Sequence, residues 1–507
     1  MTRLPISHSR PVLVLGAGVA GLVAAFELAA RGVPTVVVEA ADRPGGKMRR
    51  AEVGAQSFDA GPTVLTMRWV FEQLFAEAGL NFSDHVPTRA AAILARHTWD
   101  RPEPAGNCLD LHADAARSAE AIGQFAGAAE GRCFLRFCAE ARSAYRALEH
   151  SFIRAQRPSM PGLVRRIGAR QPADLLAIRP FETLWHALGR HFRDARLQQL
   201  FGRYATYCGS SPFDAPATLM LVAHVEQEGV WLVDSGMFGI ANALERLARE
   251  RGAQFRYGAR AERIVIDAKG VCGVELAGGE RLPAGAVVAN ADAAALAQGL
   301  LGEAATAAAP GAHRHARSLS AITWLLHAPV TGFPLLRHNV FFSPDYRAEF
   351  ADLFRARTVP VHPTIYVCAQ DRGADAHVAA AAPGNPERLF FLINAPADGD
   401  RADSRIDADQ AEVRVFDALQ RMGLQVDRHA APMQRTTPMH FAQSYPGSGG
   451  ALYGSASHGW RASFQRPGAA SKVPGLFLAG GSVHPGPGVP MAALSGRLAV
   501  QRILAQR

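Results

Sequence analysis

The 507-residue chain has little lysine, little cysteine and no long apolar run without interruption. Lys47, Lys269 and Lys472 are the only lysines, so 51 of the 54 basic residues are arginine. Six cysteines, Cys108, Cys133, Cys138, Cys208, Cys272 and Cys368, stand apart in the sequence. No two form Cys-x-x-Cys and none has zinc spacing to a histidine. That excludes a disulfide scaffold and a structural metal, and it points to reduced thiols in a cytosolic protein. An apolar share of 48% with 20% charged residues excludes a disordered or collagen-like chain. The most apolar stretch, Pro11–Phe26, follows Arg3 and Arg10 and imitates a secretion signal. It is only 16 residues long before Glu27, it carries glycines at fixed spacing, and a second buried strand follows it. No other stretch approaches the ~20 apolar residues that a spanning helix needs, so none is expected.

What the first forty residues do have is a complete strand–helix–strand unit. Val12–Leu15 is a short buried strand, and Gly16-Ala-Gly18-Val-Ala-Gly21 follows it directly. Residues 20–31 then carry helical composition, Gly32 ends the helix, and Thr35–Val38 is the next strand. In this context the glycines are a dinucleotide fingerprint. Gly16 permits the tight turn, Gly18 admits a pyrophosphate to the backbone, and Gly21 lets the helix pack close. The helix N-terminus supplies free N–H groups and partial positive charge. Glu39 lies 18 residues after Gly21, where its carboxylate can accept from both ribose hydroxyls. The chain continues into Arg43-Pro-Gly45-Gly46-Lys47, a cationic glycine loop able to wrap the far side of the pyrophosphate.

This extension resembles the Glu-x-x-x-Arg-x-Gly-Gly pattern of FAD amine oxidases, protoporphyrinogen oxidases and carotenoid desaturases, with Lys47 where those families usually carry arginine. Phe58-Asp-Ala-Gly61-Pro62-Thr63 resembles the segment of bacterial phytoene desaturases whose backbone borders the flavin ring. Near the C-terminus, Leu476–Ala479 reads as a strand. Gly480-Gly481-Ser482-Val-His484-Pro-Gly-Pro-Gly488 and a helix from about Pro490 follow it. This looks like the bacterial-type phytoene dehydrogenase signature, departing from it at Val483 and Pro487. In that resemblance the last helix aims its positive end at the flavin, with the Met491 N–H as donor, because Pro490 has none. His484 is the weak candidate for a catalytic group, set against a role in capping the turn, and Asp59 reads as a structural cap.

The middle of the chain reads as strands at Phe255–Tyr257, Ile264–Ile266, Val271–Leu276 and Ala286–Ala289, closed by Asn290-Ala-Asp292. Family members close their cofactor domain similarly, and the resemblance brings the backbone near Ala261 to the adenine. The chain is therefore identified as a member of the bacterial-type carotenoid (phytoene) desaturase family. Gly45–Arg49 and Val489–Arg497 look most like its hydroxyneurosporene branch, the 1-hydroxycarotenoid 3,4-desaturases or methoxyneurosporene dehydrogenases. The implied fold is α/β, a Rossmann-like FAD domain (1–90, 230–300, 430–507) interleaved with a mixed α+β substrate and membrane-contact domain (91–229, 301–429). Ala304–Ala312 and Ala379–Pro383 look like joins.

The resemblance implies FAD as cofactor and an acyclic carotenoid as substrate. A carbon–carbon single bond would lose a hydride to the flavin and then a proton. Oxygen or a quinone would be the final electron acceptor, and no nucleic acid would bind. Phytoene desaturation is the alternative within the family. A flavin amine oxidase and a non-enzymatic lipid carrier are the rivals outside it. Residues 130–210 carry 14 arginines against six acids, interspersed with Phe134, Phe137, Phe192 and Phe201. A basic, aromatic helical face of this kind suits either solvent or an anionic membrane surface, with the protein cytoplasmic and peripherally attached to the inner or intracytoplasmic membrane. A 3,4-desaturase would also need a polar side chain at the end of its substrate tunnel to meet the substrate's hydroxyl, with His338 or Asn339 as candidates.

Overall fold

The computed structural model describes residues 10–100, 107–168, 178–373, 385–429 and 432–506. Arg3 and the Ala379–Pro383 cluster fall outside the described residues.

Five strands form a wholly parallel sheet in the order Leu476–Leu478, Ala286–Ala289, Val12–Leu15, Thr35–Val38, Gln254–Arg256. The central strands are Val- and Ala-rich because both their faces are covered. On one side lie the helices Val19–Ala30, Phe238–Glu250 and Val489–Leu504. On the other lies an antiparallel sheet of Ala261–Asp267, Gly270–Leu276 and Arg281–Pro283. The first helix is buried on nearly every side, which explains its run of Ala, Leu and Val. Register matters most here. Leu15 pairs with Val38 and with Ala289, and Ala289 pairs with Leu478. The next residue along each strand, Gly16, Glu39, Asn290 and Ala479, therefore lies side by side at the carboxyl edge, where ligands bind in open parallel sheets.

The second sheet runs Leu424–Val426, Ser320–Gly332, Pro386–Ala395, Ile365–Ala369, His338–Phe342, Ile93–Trp99, Cys108–His112, with Met433–Thr436 also paired to Ser320–Gly332. Residues 433–436 thus join this sheet rather than the first one, a few residues beyond the expected boundary at 429. One face, including Ile322, Trp324, Phe391, Ile393 and Val367, packs on the helix Ala408–Arg421. The Ala304–Ala312 stretch forms short 3-10 turns rather than open loop.

The segment 130–210 departs from expectation. Phe134, Phe137, Phe192 and Phe201 are all buried and pack ring against ring, with Phe201 stacked on Phe134 and Phe192 and Phe137 edge-on to Phe192. Helical periodicity separates them from the arginines: Phe134, Phe137, Ala141, Ala144 and Leu148 face inward on the helix Ala128–Leu148, whereas Arg132, Arg136, Arg142 and Arg146 face out. Those aromatics cannot share a surface with the basic residues. Among the described residues no helix is long and apolar enough to cross a membrane.

The helices Val19–Ala30 and Val489–Leu504 meet backbone to backbone at Gly496, where a Cβ would lie 2.3 Å from the Ala20 carbonyl oxygen. Gly496→Val should lower the urea-unfolding midpoint, with a loss of about 1–3 kcal/mol or more from overpacking. Gly189→Ala, with nothing within 4 Å of the new methyl, should be neutral or slightly stabilising. Equal midpoints for Gly496→Val and the parent would contradict this contact.

Candidate active site

Glu39 stands at the end of its strand with both carboxylate oxygens engaged by backbone. Oε2 accepts from the Ala17 N–H at 2.6 Å and Oε1 from the Ala41 N–H at 2.8 Å. The carboxylate is thereby aimed beside the glycine turn, with lone pairs left for a ligand. The turn itself closes on Asn290, whose Nδ2 donates to the Gly16 carbonyl at 3.2 Å. A Cβ on Gly18 would meet that same Nδ2 at 2.8 Å, and one on Gly21 would meet the Gly16 oxygen at 2.0 Å. The second glycine loop leans on the first: the Gly45 N–H donates to the Ala17 carbonyl at 2.9 Å, and a Cβ on Gly46 would touch the Gly18 Cα. Asn290 was legible only as the end of a strand; tertiary packing makes it the hub of the turn.

Gly16, Gly18, Glu39, Gly45, Gly46 and Lys47 line one cavity of about 1530 Å³. Gly61, Pro62, Thr63, Ala261, Gly480, Gly481, Ser482 and Met491 line it as well. Gly21 lies behind the turn, where it permits the close approach of helix and strand. Arg43 is not brought in. It sits on the exposed side of the loop, paired with its neighbour Asp42 at 3.0 Å. Lys47 faces the cavity, but its ammonium is occupied, donating to the carbonyls of Leu452 (2.9 Å) and Ala451 (3.1 Å) beneath the Tyr445 ring. Burial holds its pKa down.

The C-terminal turn is held from behind. The buried Arg466 donates to the carbonyls of Gly481, Tyr453 and Ser455, and the Ser495 hydroxyl accepts the Gly480 N–H at 2.7 Å. His484 does not reach the cavity. It is fully buried, its Nε2 meets the Ala155 carbonyl at 2.8 Å, and its ring stands edge-on to Phe152. Burial pushes its pKa down to about 4. Its role is to fasten the turn to the segment after the helix Ala128–Leu148, and the catalytic candidacy is withdrawn. Asp59 is the cap it was read to be, accepting from the N–H groups of Met237 (2.8 Å) and Phe238 (3.3 Å).

Beyond these turns the cavity is walled by the second sheet. Alternation puts Thr323, Leu392, Tyr366, Val340 and His97 on the face opposite the packed helix, and all of them line the cavity. The same period of two separates the pair His338 and Asn339. His338 lines the cavity. Asn339 points to the other side, where it ties Leu336 and Val367 together. A buried polar group completes the wall. Arg203 donates to the Tyr207 hydroxyl at 2.9 Å, and Glu226 accepts from Tyr207 (2.9 Å) and Tyr204 (2.7 Å). Burial raises the Glu226 pKa. Arg203, Tyr204 and Tyr207 are neighbours in the chain, but no motif connects them with Glu226, 19 residues beyond Tyr207. Among the described residues no group of acids, histidines and cysteines is arranged to hold a metal.

Residues 19–504 match the family described as flavin containing amine oxidoreductase. The chain belongs to that family. It is 51% identical to the hydroxyneurosporene desaturase of Rubrivivax gelatinosus over 97% of this chain and 93% of that one. It is 42% identical to the hydroxyneurosporene desaturase of Cereibacter sphaeroides over 97% of each. The fold is similar to a solved oxidoreductase of Methanosarcina mazei, with a TM-score of 0.59 at 15% identity, covering 98% of this chain and 100% of the other.

This member of the flavin family is therefore an FAD-dependent oxidoreductase, and its cavity fits the group. Two helices, Val19–Ala30 and Val489–Leu504, begin at Gly18 and Gly488 on the cavity, and neither has a side-chain cap. Their first-turn N–H groups are thus left for a ligand with negative charge at two separated points. A pyrophosphate and the electron-rich edge of a flavin meet that description. Gly61, Pro62 and Thr63 line the same cavity, and a Cβ on Gly61 would strike the Lys47 carbonyl oxygen at 2.0 Å. A ribose held beside the glycine turn would find its acceptor in Glu39, and Glu39→Ala removes that carboxylate; charge-assisted hydrogen bonds contribute about 1.5–3 kcal/mol each. The variant should fold yet release flavin on dilution, followed by absorbance after gel filtration. Stoichiometric flavin at the parent's affinity would refute the role of Glu39.

Proposed function

We propose that this flavoenzyme is a carotenoid desaturase that forms the C3–C4 double bond of acyclic 1-hydroxycarotenoids such as 1-hydroxyneurosporene. One observation carries the reading. The nucleotide end, at Gly16 and Glu39, and an apolar chamber lined by Leu94, Leu148, Leu163, Ile167, Leu200 and Phe390 belong to one continuous cavity. Its volume exceeds the ~300–1,000 Å³ usual for a small-molecule pocket, leaving room for a large apolar substrate beside a dinucleotide. Similarity to hydroxyneurosporene desaturases along the whole chain supports the substrate class. A polar amine suits the chamber poorly. Its carboxylates away from the nucleotide end are Glu226, held by two tyrosines, and Glu182, paired with Arg190.

A saturated carbon has no acidic hydrogen, so acid–base groups alone cannot start its oxidation. When bound, FAD supplies the acceptor for the two electrons that leave with a hydride. The protein's work is positioning. The sheet wall and the apolar side chains hold the polyene and exclude water. The uncapped start of the helix Val489–Leu504 stabilises negative charge that develops before it.

The cavity's outer end supports peripheral membrane contact. Phe181 and Val164 line the cavity and are also 78% and 46% exposed, so they mark its opening. Trp460 packs on Phe181, the Arg461 guanidinium lies over the Trp460 ring, and Arg165 and Arg166, next to Val164 in the chain, are exposed. An exposed apolar rim with arginine beside it suits an interface where a lipid-dissolved substrate enters.

Neurosporene, 1-hydroxyneurosporene and phytoene supplied separately to the holoenzyme test the substrate. The expected kcat/KM for 1-hydroxyneurosporene exceeds that for neurosporene by about tenfold or more. Efficient turnover of phytoene would reassign the protein to the general desaturases. Co-sedimentation with anionic vesicles should exceed that with neutral ones, weaken with salt, and fall in Phe181→Glu. Equal sedimentation in all four conditions would refute the membrane contact.

A further inference from the structure

The substrate proposed above has one polar group, the tertiary hydroxyl at C1. Three bonds separate its oxygen from C3, so it lies within about 4 Å of the bond to be oxidised. Whatever receives the hydroxyl therefore belongs beside the segment Gly61–Thr63, which borders the flavin in the resemblance, and not at a remote end of the chamber.

His338 occupies such a position. It is 3% exposed, on a strand whose alternate residues Val340 and Phe342 are apolar. Its Nδ1 is fixed by the Tyr366 hydroxyl at 2.7 Å, and that hydroxyl meets the Thr63 Oγ1, also at 2.7 Å. The two rings stack at 14°, with the Arg203 guanidinium over Tyr366. One nitrogen is pinned and the other, Nε2, is buried with no partner. A buried polar atom without a partner is costly. Among the described cavity-lining residues only His338 and Glu182 carry one, and Glu182 belongs to the rim through its pair with Arg190. A hydroxyl suits Nε2 in either tautomer, because it can donate to a lone pair or accept from an N–H.

We propose that His338 Nε2 hydrogen-bonds the substrate's C1 hydroxyl and so sets which carbon–carbon bond is presented for oxidation, with Tyr366 and Thr63 holding the imidazole. The proposal rests on the desaturase reading. Its chemistry implies a ligand class, acyclic polyenes with a hydroxyl at the terminus. It also implies a consequence for the product: with the hydroxyl anchored the polyene cannot slide, and a single bond is oxidised.

The test compares holoenzyme with His338→Leu, His338→Gln and Tyr366→Phe on 1-hydroxyneurosporene and neurosporene, with product positions identified. His338→Leu should lose about tenfold in kcat/KM on the hydroxylated substrate. Its rate on neurosporene should fall several-fold less than that on the hydroxylated substrate, and its bound flavin should be that of the parent. Double bonds away from C3–C4 should accompany the loss. His338→Gln, whose amide can take the same bond, should recover part of the preference, and it decides the matter if the leucine variant does not fold. Undiminished preference in His338→Leu, or equal loss on both substrates, would overturn the hydroxyl site while leaving the desaturase reading intact. Failure of the unsubstituted holoenzyme to oxidise either polyene would overturn both.

Discussion

At the carboxyl edge of the parallel sheet, backbone meets backbone at distances that no side chain permits. A Cβ on Gly21 would lie 2.0 Å from the Gly16 carbonyl, and one on Gly61 would lie 2.0 Å from that of Lys47. A Cβ on Gly46 would lie 3.1 Å from the Gly18 Cα, and one on Gly480 would lie 3.1 Å from the Asn290 amide oxygen. Five strands in register bring these turns together, and the glycines let the turns nest around Asn290. The placement of the Glu39 carboxylate, of both uncapped helix starts and of the segment Gly61–Thr63 around one cavity follows from this contact.

The second sheet answers a different demand, an apolar wall for a long substrate. Period-two alternation divides it into a packed face and a cavity face. Polar groups from the helical segments Arg203–Cys208 and Leu221–Gln227 also line the cavity and are paired among themselves. Arg203 and Glu226 are bridged by Tyr207, which lets a buried cation and a buried carboxylate coexist without water. Burial pushes the pKa values of His97 and His338 down to about 3, so both are neutral near physiological pH. The wall therefore presents almost no net charge to a polyene, and the unpaired His338 nitrogen stands out against it.

The arginine surplus of 130–210 is divided by the fold. Arg154, Arg179, Arg190 and Arg196 are paired with Glu149, Glu140, Glu182 and Asp194, and Arg203 is drawn into the cavity wall. The phenylalanines of the helices Ala128–Leu148 and Ala195–Gly202 go inward, where their rings pack on one another and bury a large apolar area. Phe181 is left exposed beside the opening of the cavity.

Short-range pattern was enough to find the dinucleotide unit. The strands Val12–Leu15 and Thr35–Val38, the glycine turn and Glu39 all depend on neighbours within forty residues. The strand, turn and helix after Leu476 were legible for the same reason. The sequence could not say which loop residues face inward. Arg43 lies within the motif yet turns to solvent, and His484 lies within the other yet anchors it from behind. Nor could it choose between His338 and Asn339, which differ by one residue. That choice was made by the pairing of Val340 with His97, 243 positions earlier in the chain. Pairing across such distances fixes which face of a strand meets the cavity, and a one-residue shift would reverse every side chain on it.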